Sequence, residues 1–242
     1  PIITGEKSRN CEVPTGKLKT IHNIMHKELC KEMTPPWFFS CKGRGYVANA
    51  IWHAKPNIYL LKMDISSFYP SCKIDYVFRL FRDKEGYGLP GDIAGLLANI
   101  LTYQGHIPTG SPVSGLLAFW SYFPCFNEIY KYSVAHSFLM SLYVDDITIS
   151  GSKQPSKLFI NTIKNIINRY KLSTNDKKMK IYVPFKSKLV TGVIIKPTGA
   201  KEIPNKLRKK IIEEEAQIPT EKNIQRLNGL KNAAFQINRY TA

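Results

Sequence analysis

Long apolar segments and paired cysteines are both missing from this chain of 242 residues. No apolar run reaches the roughly 20 residues that a membrane-spanning helix requires, so the sequence predicts no membrane partner. The five cysteines stand alone and form no Cys-x-x-Cys pair, which argues against a structural zinc site. Unpaired thiols of this kind are typical of a reducing compartment, and we expect a cytoplasmic protein.

Acidic residues are scarce relative to basic ones. The chain has 18 Asp and Glu against 35 Lys and Arg, which gives a formal charge of +17 at pH 7. Such an excess favours a polyanionic partner, because a free chain of this charge repels itself. The aromatic content of 12% would supply surfaces on which nucleic-acid bases stack. The alternative is a generally basic soluble protein without such a partner.

Internal repeats and low-complexity linkers are also absent, so the elements are read from hydrophobic periodicity. Helices are predicted over 17–33, 74–81, 92–101, 112–132 and 155–170, and two more over 204–242 with a break near Pro219. Strands are predicted over 58–63, 180–183 and 189–195, with a hairpin over 138–150. Helix-rich ends around a mixed centre indicate an α/β (α+β) fold.

Within the helix predicted over 155–170, apolar residues recur at helical spacing. We expect five of them to face the core: Leu158, Ile160, Ile163, Ile166 and Ile167.

Among the few acids, Asp145 and Asp146 stand side by side within a run of β-forming residues. Neighbouring side chains of a strand point to opposite faces, whereas a hairpin turn lets both carboxylates lean towards one cation. Paired carboxylates repel unless a metal or a shared proton neutralises them. The alternative for this pair alone is a polar β-turn.

A third acid, Asp64, ends the apolar run that begins at Ile58. Three carboxylates on adjacent strand ends would hold two divalent ions roughly 3.5–4 Å apart for phosphoryl transfer. We expect Asp64 to bridge two Mg²⁺ ions beside the carbonyl of Ile65, with Asp145 as the second main ligand and Asp146 as a weaker one. Mn²⁺ is an alternative ion. Taken alone, Asp64 is better explained as a helix cap or a turn residue.

Four segments resemble the motifs of reverse transcriptases, and the likeness runs from about Arg9 to Asn238. Residues 61–70 resemble the first catalytic motif, and residues 143–146 resemble the Tyr-x-Asp-Asp box. Residues 107–114 resemble Leu-Pro-Gln-Gly-x-Pro-x-Ser, and residues 175–178 resemble the lysine-bearing motif that follows the box. Two shorter matches, Asn-Ala-x-x-His at 49–53 and Val-Thr-Gly at 190–192, resemble signatures of bacterial retron enzymes.

The resemblance implies a site for the incoming nucleotide, formed by Arg9, Tyr69, Thr109, Gly110 and Lys178. A ring at Tyr69 packed against the sugar would exclude a 2′-hydroxyl, so deoxynucleoside triphosphates are the expected substrates. Thr109 replaces the usual Gln and makes fewer hydrogen bonds. Lys178 would protonate or neutralise the leaving pyrophosphate. The alternatives are a core tyrosine at 69 and ordinary phosphate contact at 178.

The resemblance also implies contacts with the enzyme's own structured RNA. These would come from Asn49, His53, Val190, Thr191 and Gly192. The charge of a separate basic cluster predicts a helix that contacts RNA phosphates through Lys206, Arg208, Lys209 and Lys210. The alternatives are a hydrogen-bonded, partly buried pair at 49 and 53, a plain strand end at 190–192, and a solvated basic face at 206–210.

A right-hand polymerase is the fold that the resemblance implies. The expected domains are fingers at 1–55 and 83–105, palm at 56–82 and 106–197, and a short helical thumb at 198–242. The expected activity copies a cognate noncoding RNA into DNA, giving a branched RNA–DNA product, with a role in antiphage defence and an effector protein encoded nearby. Alternatives are another bacterial reverse transcriptase (group II intron-like, diversity-generating or defence-associated) and an RNA-binding scaffold without activity.

Overall fold

A computed structural model gives the fold, and it describes residues 2–4, 7–9, 11–41 and 43–239, with only the backbone for the first two ranges. Its strands are β1 (Ile2–Thr4), β2 (Lys7–Arg9), β3 (Tyr59–Asp64), β4 (Leu139–Tyr143), β5 (Asp146–Gly151), β6 (Lys180–Tyr182), β7 (Lys188–Val190), β8 (Val193–Ile195) and β9 (Lys201–Glu202). Its helices are α1 (Gly16–Leu29), α2 (Tyr46–Trp52), α3 (Phe68–Ser71), α4 (Ile74–Arg82), α5 (Gly91–Leu101), α6 (Ser114–Ser121), α7 (Phe123–Ala135), α8 (Lys157–Arg169), α9 (Asn205–Glu215) and α10 (Glu221–Arg239). None of the helices in these ranges is long and apolar enough to cross a membrane.

The chain divides into two compact units, each assembled from separate stretches of sequence. The first unit contains residues 1–36, 64–132 and 157–177, and the second contains residues 37–63, 133–156 and 178–242. These boundaries differ from those predicted for fingers, palm and thumb, which stay a prediction.

Helices make up most of the first unit, where α4 packs against α5 and α6. Helix α4 forms because Val77 and Phe81, four residues apart, share one buried face. Asp75 in its first turn and basic residues in its last turn complement the helix dipole.

The central sheet has the strand order β4-β5-β3-β6. Strands β4 and β5 form an antiparallel hairpin in which Tyr143 pairs with Asp146, as the sequence predicts. Strand β6 runs antiparallel to β3. Because β3 carries buried residues on both faces, it reads in the sequence as a nearly continuous apolar run.

A smaller sheet in the second unit has the order β7-β8-β9. Its buried residues Val190, Val193 and Ile195 pack with Ala50 of α2 and Ile237 of α10 in one apolar cluster. The stretch predicted as a single strand over 189–195 is instead two strands joined by a tight turn.

The apolar stretch predicted as one helix over 112–132 is two helices, α6 and α7, which meet at Tyr122. Pro124 explains the break, because proline has no N–H to donate and its ring would clash with the carbonyl four residues before it. Proline is tolerated in the first turn of α7, where backbone N–H groups have no partner within the helix.

Helix α8 forms as predicted, but its first buried residue differs from the prediction. Leu158 is 76% exposed, and Phe159 takes its place in the core. Phe159 lies four residues before Ile163 and therefore on the same helix face, whereas Leu158 points away from that face.

Candidate active site

The predicted acid pair lies at the tip of the β4–β5 hairpin. Val144 and Asp145 are the two turn residues, and Asp146 is the first residue of β5. Val144 has a φ of +58°, which is unfavourable for a β-branched residue by about 1–3 kcal/mol. Five residue pairs join β4 and β5 behind this turn, so the two carboxylates are presented at the end of a regular hairpin.

Strand β3, which ends at Asp64, is the neighbour of β5 in the sheet. Two residues before its end, the Lys62 ammonium lies 3.7 Å from a carboxylate oxygen of Asp146. Both side chains are largely shielded, with 20% and 27% of their surfaces exposed. Sequence reasoning missed Lys62, although side chains two residues apart on a strand share a face and Lys62 therefore shares one with Asp64.

The donor chemistry of these acids suits a hard divalent cation, because carboxylate and carbonyl oxygens are the ligands that Mg²⁺ prefers. Among the residues that the structure describes, no three His, Cys, Asp or Glu side chains are grouped so that they could hold a metal. The positive charge beside Asp146 is the Lys62 ammonium. The donor types therefore fit the ion, and the convergence of the three carboxylates stays a prediction.

Backbone hydrogen bonds tie Asp64 and its successor to the lysine-bearing motif. The N–H of Asn175 donates to the carbonyl of Asp64 at 2.8 Å, and Ile65 forms a bridge with Thr174. Close by, the Lys164 ammonium 2.8 Å from Asp176 holds the pKa of that carboxyl below its usual value. These contacts fix the segment that leads to Lys178, whose side chain is exposed.

The loop over 107–114 is held by Glu12, a residue that sequence reasoning missed. A Glu12 carboxylate oxygen accepts from the N–H of Thr109 at 3.3 Å, and the same carboxylate lies 3.1 Å from Nε2 of His106. A Cβ at Gly110 would stand 2.7 Å from Val13 and 3.1 Å from the Glu12 carbonyl, so only glycine fits there. No local pattern could have found Glu12, because its partners lie far along the chain.

Ser111 in the same loop is bonded to a buried histidine. Nε2 of His22 donates to the carbonyl of Ile100 at 2.8 Å, and Nδ1 lies 2.6 Å from the Ser111 hydroxyl. Tyr69 is half-buried, and its hydroxyl would lie 3.8 Å from a Cβ at Gly115. Tyr69 and the start of α6 are therefore neighbours. Arg9 lies in β2, and its side chain is outside the described parts of the chain.

Asn49 and His53, predicted to bind RNA, are both completely buried. His53 follows α2 directly, and its two ring nitrogens lie 2.7 Å from the hydroxyls of Ser141 and Ser150. Burial, with a smaller contribution from the nearby positive charge of Lys55, lowers the pKa of His53 to about 3. The ring is therefore neutral at pH 7. Direct RNA contact is closed to both side chains in this structure, and their role in RNA recognition stays a prediction.

The Val-Thr-Gly segment forms the turn between β7 and β8. Thr191 and Gly192 have φ values of +41° and +87°, as in type I′ hairpin turns, which explains the glycine. The Thr191 hydroxyl donates to the carbonyl of Tyr46 at 2.6 Å and accepts from Asn49 at 3.3 Å. The two short signatures are thus in contact with each other, while the Val190 side chain is buried.

The predicted basic cluster lies in α9, and its four side chains are exposed. Two of them also make ion pairs within the protein. Arg208 lies 3.0 Å from Glu202, and Lys209 lies 3.7 Å from Glu213. Exposed pairs of this kind are weak, so these cations stay available to a polyanion.

Comparison with known families gives a match over most of the chain. Residues 4–222 match the model of the family described as reverse transcriptase (RNA-dependent DNA polymerase).

Two relatives are similar in sequence. The chain is 28% identical over 186 residues to the retron Se72 reverse transcriptase of Salmonella heidelberg, covering 73% of this chain and 47% of that protein. It is 26% identical over 193 residues to the retron Ec86 reverse transcriptase of Escherichia coli, covering 78% of this chain and 59% of that protein. The chain therefore spans about half the length of the curated relatives it matches.

Solved structures with a similar fold include two telomerases. The apo telomerase of Candida tropicalis, truncated from its C-terminal domain, has a TM-score of 0.54 and 12% identity, covering 78% of this chain and 45% of that chain. The telomerase of Candida albicans in complex with a TWJ fragment of telomeric RNA has a TM-score of 0.52 and 10% identity, covering 93% of this chain and 47% of that chain. At these identities the likeness shows the fold alone, which is the mixed helix and sheet arrangement of a right-hand polymerase.

Proposed function

Because the chain belongs to the reverse transcriptase family, we propose that it is an RNA-directed DNA polymerase of retron type. The observation that carries the proposal is the Asp145-Asp146 turn on a strand that neighbours β3, within a chain that matches the family over 4–222. The match to two retron enzymes supports the narrower class.

In this proposal Asp64, Asp145 and Asp146, with the carbonyl of Ile65, hold Mg²⁺, or Mn²⁺ as an alternative. Bound there, divalent ions supply charge stabilisation for the attacking 3′-oxygen and the leaving pyrophosphate. The hairpin turn places two of the carboxylates on neighbouring residues. Lys62 balances the charge of Asp146 and keeps it from repelling its neighbour.

The protein side chains around the nucleotide would do the remaining work. Tyr69 excludes a 2′-hydroxyl and so selects deoxynucleoside triphosphates. Arg9 and Lys178 neutralise the triphosphate, and Thr109 and Gly110 shape the loop that the template and the nucleotide contact.

The proposed template is a cognate structured noncoding RNA, and the proposed product is DNA joined to that RNA through a branch. The charge of +17 supports a nucleic-acid partner, and the exposed cations of α9 offer phosphate contacts. The wider proposal places the chain in the cytoplasm and in antiphage defence, with an effector protein encoded nearby. Fingers at 1–55 and 83–105, palm at 56–82 and 106–197, and thumb at 198–242 belong to the same proposal.

Primer extension on an RNA template with dNTPs and Mg²⁺ tests the catalytic part. We expect Asp145→Asn to lower the rate by roughly 100-fold or more, because an amide cannot supply the anionic oxygen that a metal needs. The matched control is Asp83→Asn, which changes an exposed aspartate outside the proposed site and should keep the parent rate. Equal rates for Asp145→Asn and the parent would leave the RNA-binding scaffold as the better description.

Sequencing the nucleic acid that copurifies with the protein tests the retron assignment. A short DNA that is joined to RNA through a 2′–5′ linkage, and is released by a debranching enzyme, is the expected result. Linear DNA on an ordinary 3′ primer would instead favour a group II intron-like, diversity-generating or other defence-associated reverse transcriptase.

A further inference from the structure

The hairpin that carries Asp145 and Asp146 is hydrogen-bonded to a buried histidine, His53, which has no part in the proposed chemistry. Nδ1 of His53 lies 2.7 Å from the Ser150 hydroxyl, and Nε2 lies 2.7 Å from the Ser141 hydroxyl. Ser141 is in β4 and Ser150 is in β5, so one imidazole ring bridges both strands of the hairpin.

The position of the bridge relates it directly to the acids. Ser141 stands four residues before Asp145, and Ser150 stands four residues after Asp146. Both serines are buried, with 0% and 3% of their surfaces exposed, so bulk solvent does not reach them to replace a lost partner. A shift of one strand against the other would break a bridge bond, so the ring restrains the register on which the turn depends.

The hydrogen-bonding capacity of the ring matches this task. A neutral imidazole has one donor nitrogen and one acceptor nitrogen, and a serine hydroxyl can take either role. Each of the two ring nitrogens therefore has a serine partner, and no group on the ring is left over to recognise another molecule.

Helix α2, which ends next to His53, is itself anchored to the protein. The indole N–H of Trp52 donates to the carbonyl of Met140 in β4 at 3.3 Å. In the middle of the helix, Asn49 donates to the Thr191 hydroxyl, which in turn donates to the carbonyl of Tyr46, the first residue of the helix. The Asn-Ala-x-x-His and Val-Thr-Gly segments are thus joined to each other by hydrogen bonds inside the protein. Through His53 they are also bonded to the hairpin that carries the acids.

We infer that His53 is a positioning residue for the acid hairpin, which it holds through Ser141 and Ser150, and that Asn49 and Thr191 fix the helix from which it acts. The inference deepens the proposed function, because positioning matters for catalysis only if the hairpin carries catalytic acids. In this inference the three residues hold the hairpin in position and do not contact RNA directly.

Two substitutions at one position separate these roles. His53→Leu removes both bridge bonds and leaves two buried hydroxyls without a partner. His53→Gln keeps one donor and one acceptor at the end of the side chain, so it is the rescuing variant. His136→Leu is the matched control, because it makes the same change at an exposed histidine.

Hydrogen exchange of the full chain, read on peptides that cover residues 139–151, measures the hairpin without reference to activity. We expect exchange in His53→Leu to be about tenfold faster or more than in the parent, with partial recovery in His53→Gln and no change in His136→Leu. Equal exchange in the parent and in His53→Leu overturns the inference.

Activity and RNA binding provide the second readout on the same proteins. In primer extension on oligo(dT) annealed to poly(rA), we expect kcat of His53→Leu to fall about 10- to 100-fold. The KM for dTTP and the Kd for a structured RNA should stay within about twofold. A weakened Kd with unchanged hairpin exchange would overturn the inference in favour of RNA recognition.

Two further variants keep the test decisive if His53→Leu does not fold. Ser141→Ala and Ser150→Ala each remove one bridge bond without changing the bulk of the core, and each should speed hairpin exchange. No change in either variant overturns the inference. If the parent itself extends no primer, the proposed function fails, whereas the exchange experiment still decides whether His53 restrains the hairpin.

Discussion

The buried, neutral His53 makes the stability of the protein depend on pH in a predictable way. Burial lowers the pKa of the folded-state ring from 6.5 to about 3. Below pH 6.5 the unfolded chain takes up a proton at this position that the folded chain does not. Stability is therefore fully present above pH 6.5 and is lost progressively as the pH falls towards 3.

The magnitude follows from proton linkage. Each pH unit between the two pKa values corresponds to about 1.4 kcal/mol, and the first half unit below pH 7 contributes little. Between pH 7 and pH 5 the free energy of unfolding should fall by about 2 kcal/mol because of this residue alone. That amount depends on the unfolded pKa only, since the folded ring takes up no proton in this range.

Urea unfolding followed by tryptophan fluorescence at pH 7 and pH 5 measures the effect. The comparison protein is His53→Gln, which has no titrating group at this position and keeps every other acid and histidine. We expect the parent to lose about 2 kcal/mol more than His53→Gln over this range. His136→Gln makes the same change at an exposed histidine and is the control for the substitution itself. Equal losses in the parent and His53→Gln would refute the buried, neutral state of this ring.

Three further predictions concern other residues. Lys62→Met removes the ammonium 3.7 Å from Asp146, where it competes with Mg²⁺ for the carboxylate. Half-maximal primer extension should therefore need a Mg²⁺ concentration several-fold lower than in the parent. An unchanged Mg²⁺ requirement would argue against this competition. Arg226→Gln removes the partner that lies 2.9 Å from the buried Glu214 carboxylate, and it should lower the free energy of unfolding by about 1–3 kcal/mol. Lys209→Gln breaks an exposed pair with Glu213 and should lower it by about 0.5 kcal/mol or less. Equal urea midpoints for the two variants would contradict this difference. Tyr69→Ala should raise the incorporation of ribonucleotides relative to deoxynucleotides at least tenfold in single-nucleotide extension, and an unchanged ratio would remove Tyr69 from sugar selection.

The elements of the site were readable from local sequence. Two acids inside a run of β-formers predicted a hairpin, and the structure has that hairpin with Asp146 paired to Tyr143. Motif order predicted the family and the fold, which the match over residues 4–222 confirms. The failures in the fold are also local. Pro124 divides a helix that apolar composition made continuous, and the buried face of α8 begins at Phe159 instead of Leu158.

The amino-acid sequence by itself determined most of the longer strands and helices and which acids lie on a tight turn, because periodicity and turn chemistry act between neighbouring residues. Only the tertiary structure decided what those segments touch. It placed His53 against two serines 88 and 97 residues away, Glu12 beneath the loop of Thr109, and Lys62 beside Asp146. Such contacts depend on how distant segments pack, and the spacing of residues along the sequence does not predict that packing. For this reason the sequence did not show that Asn49 and His53, which the resemblance assigned to RNA binding, are buried inside the protein.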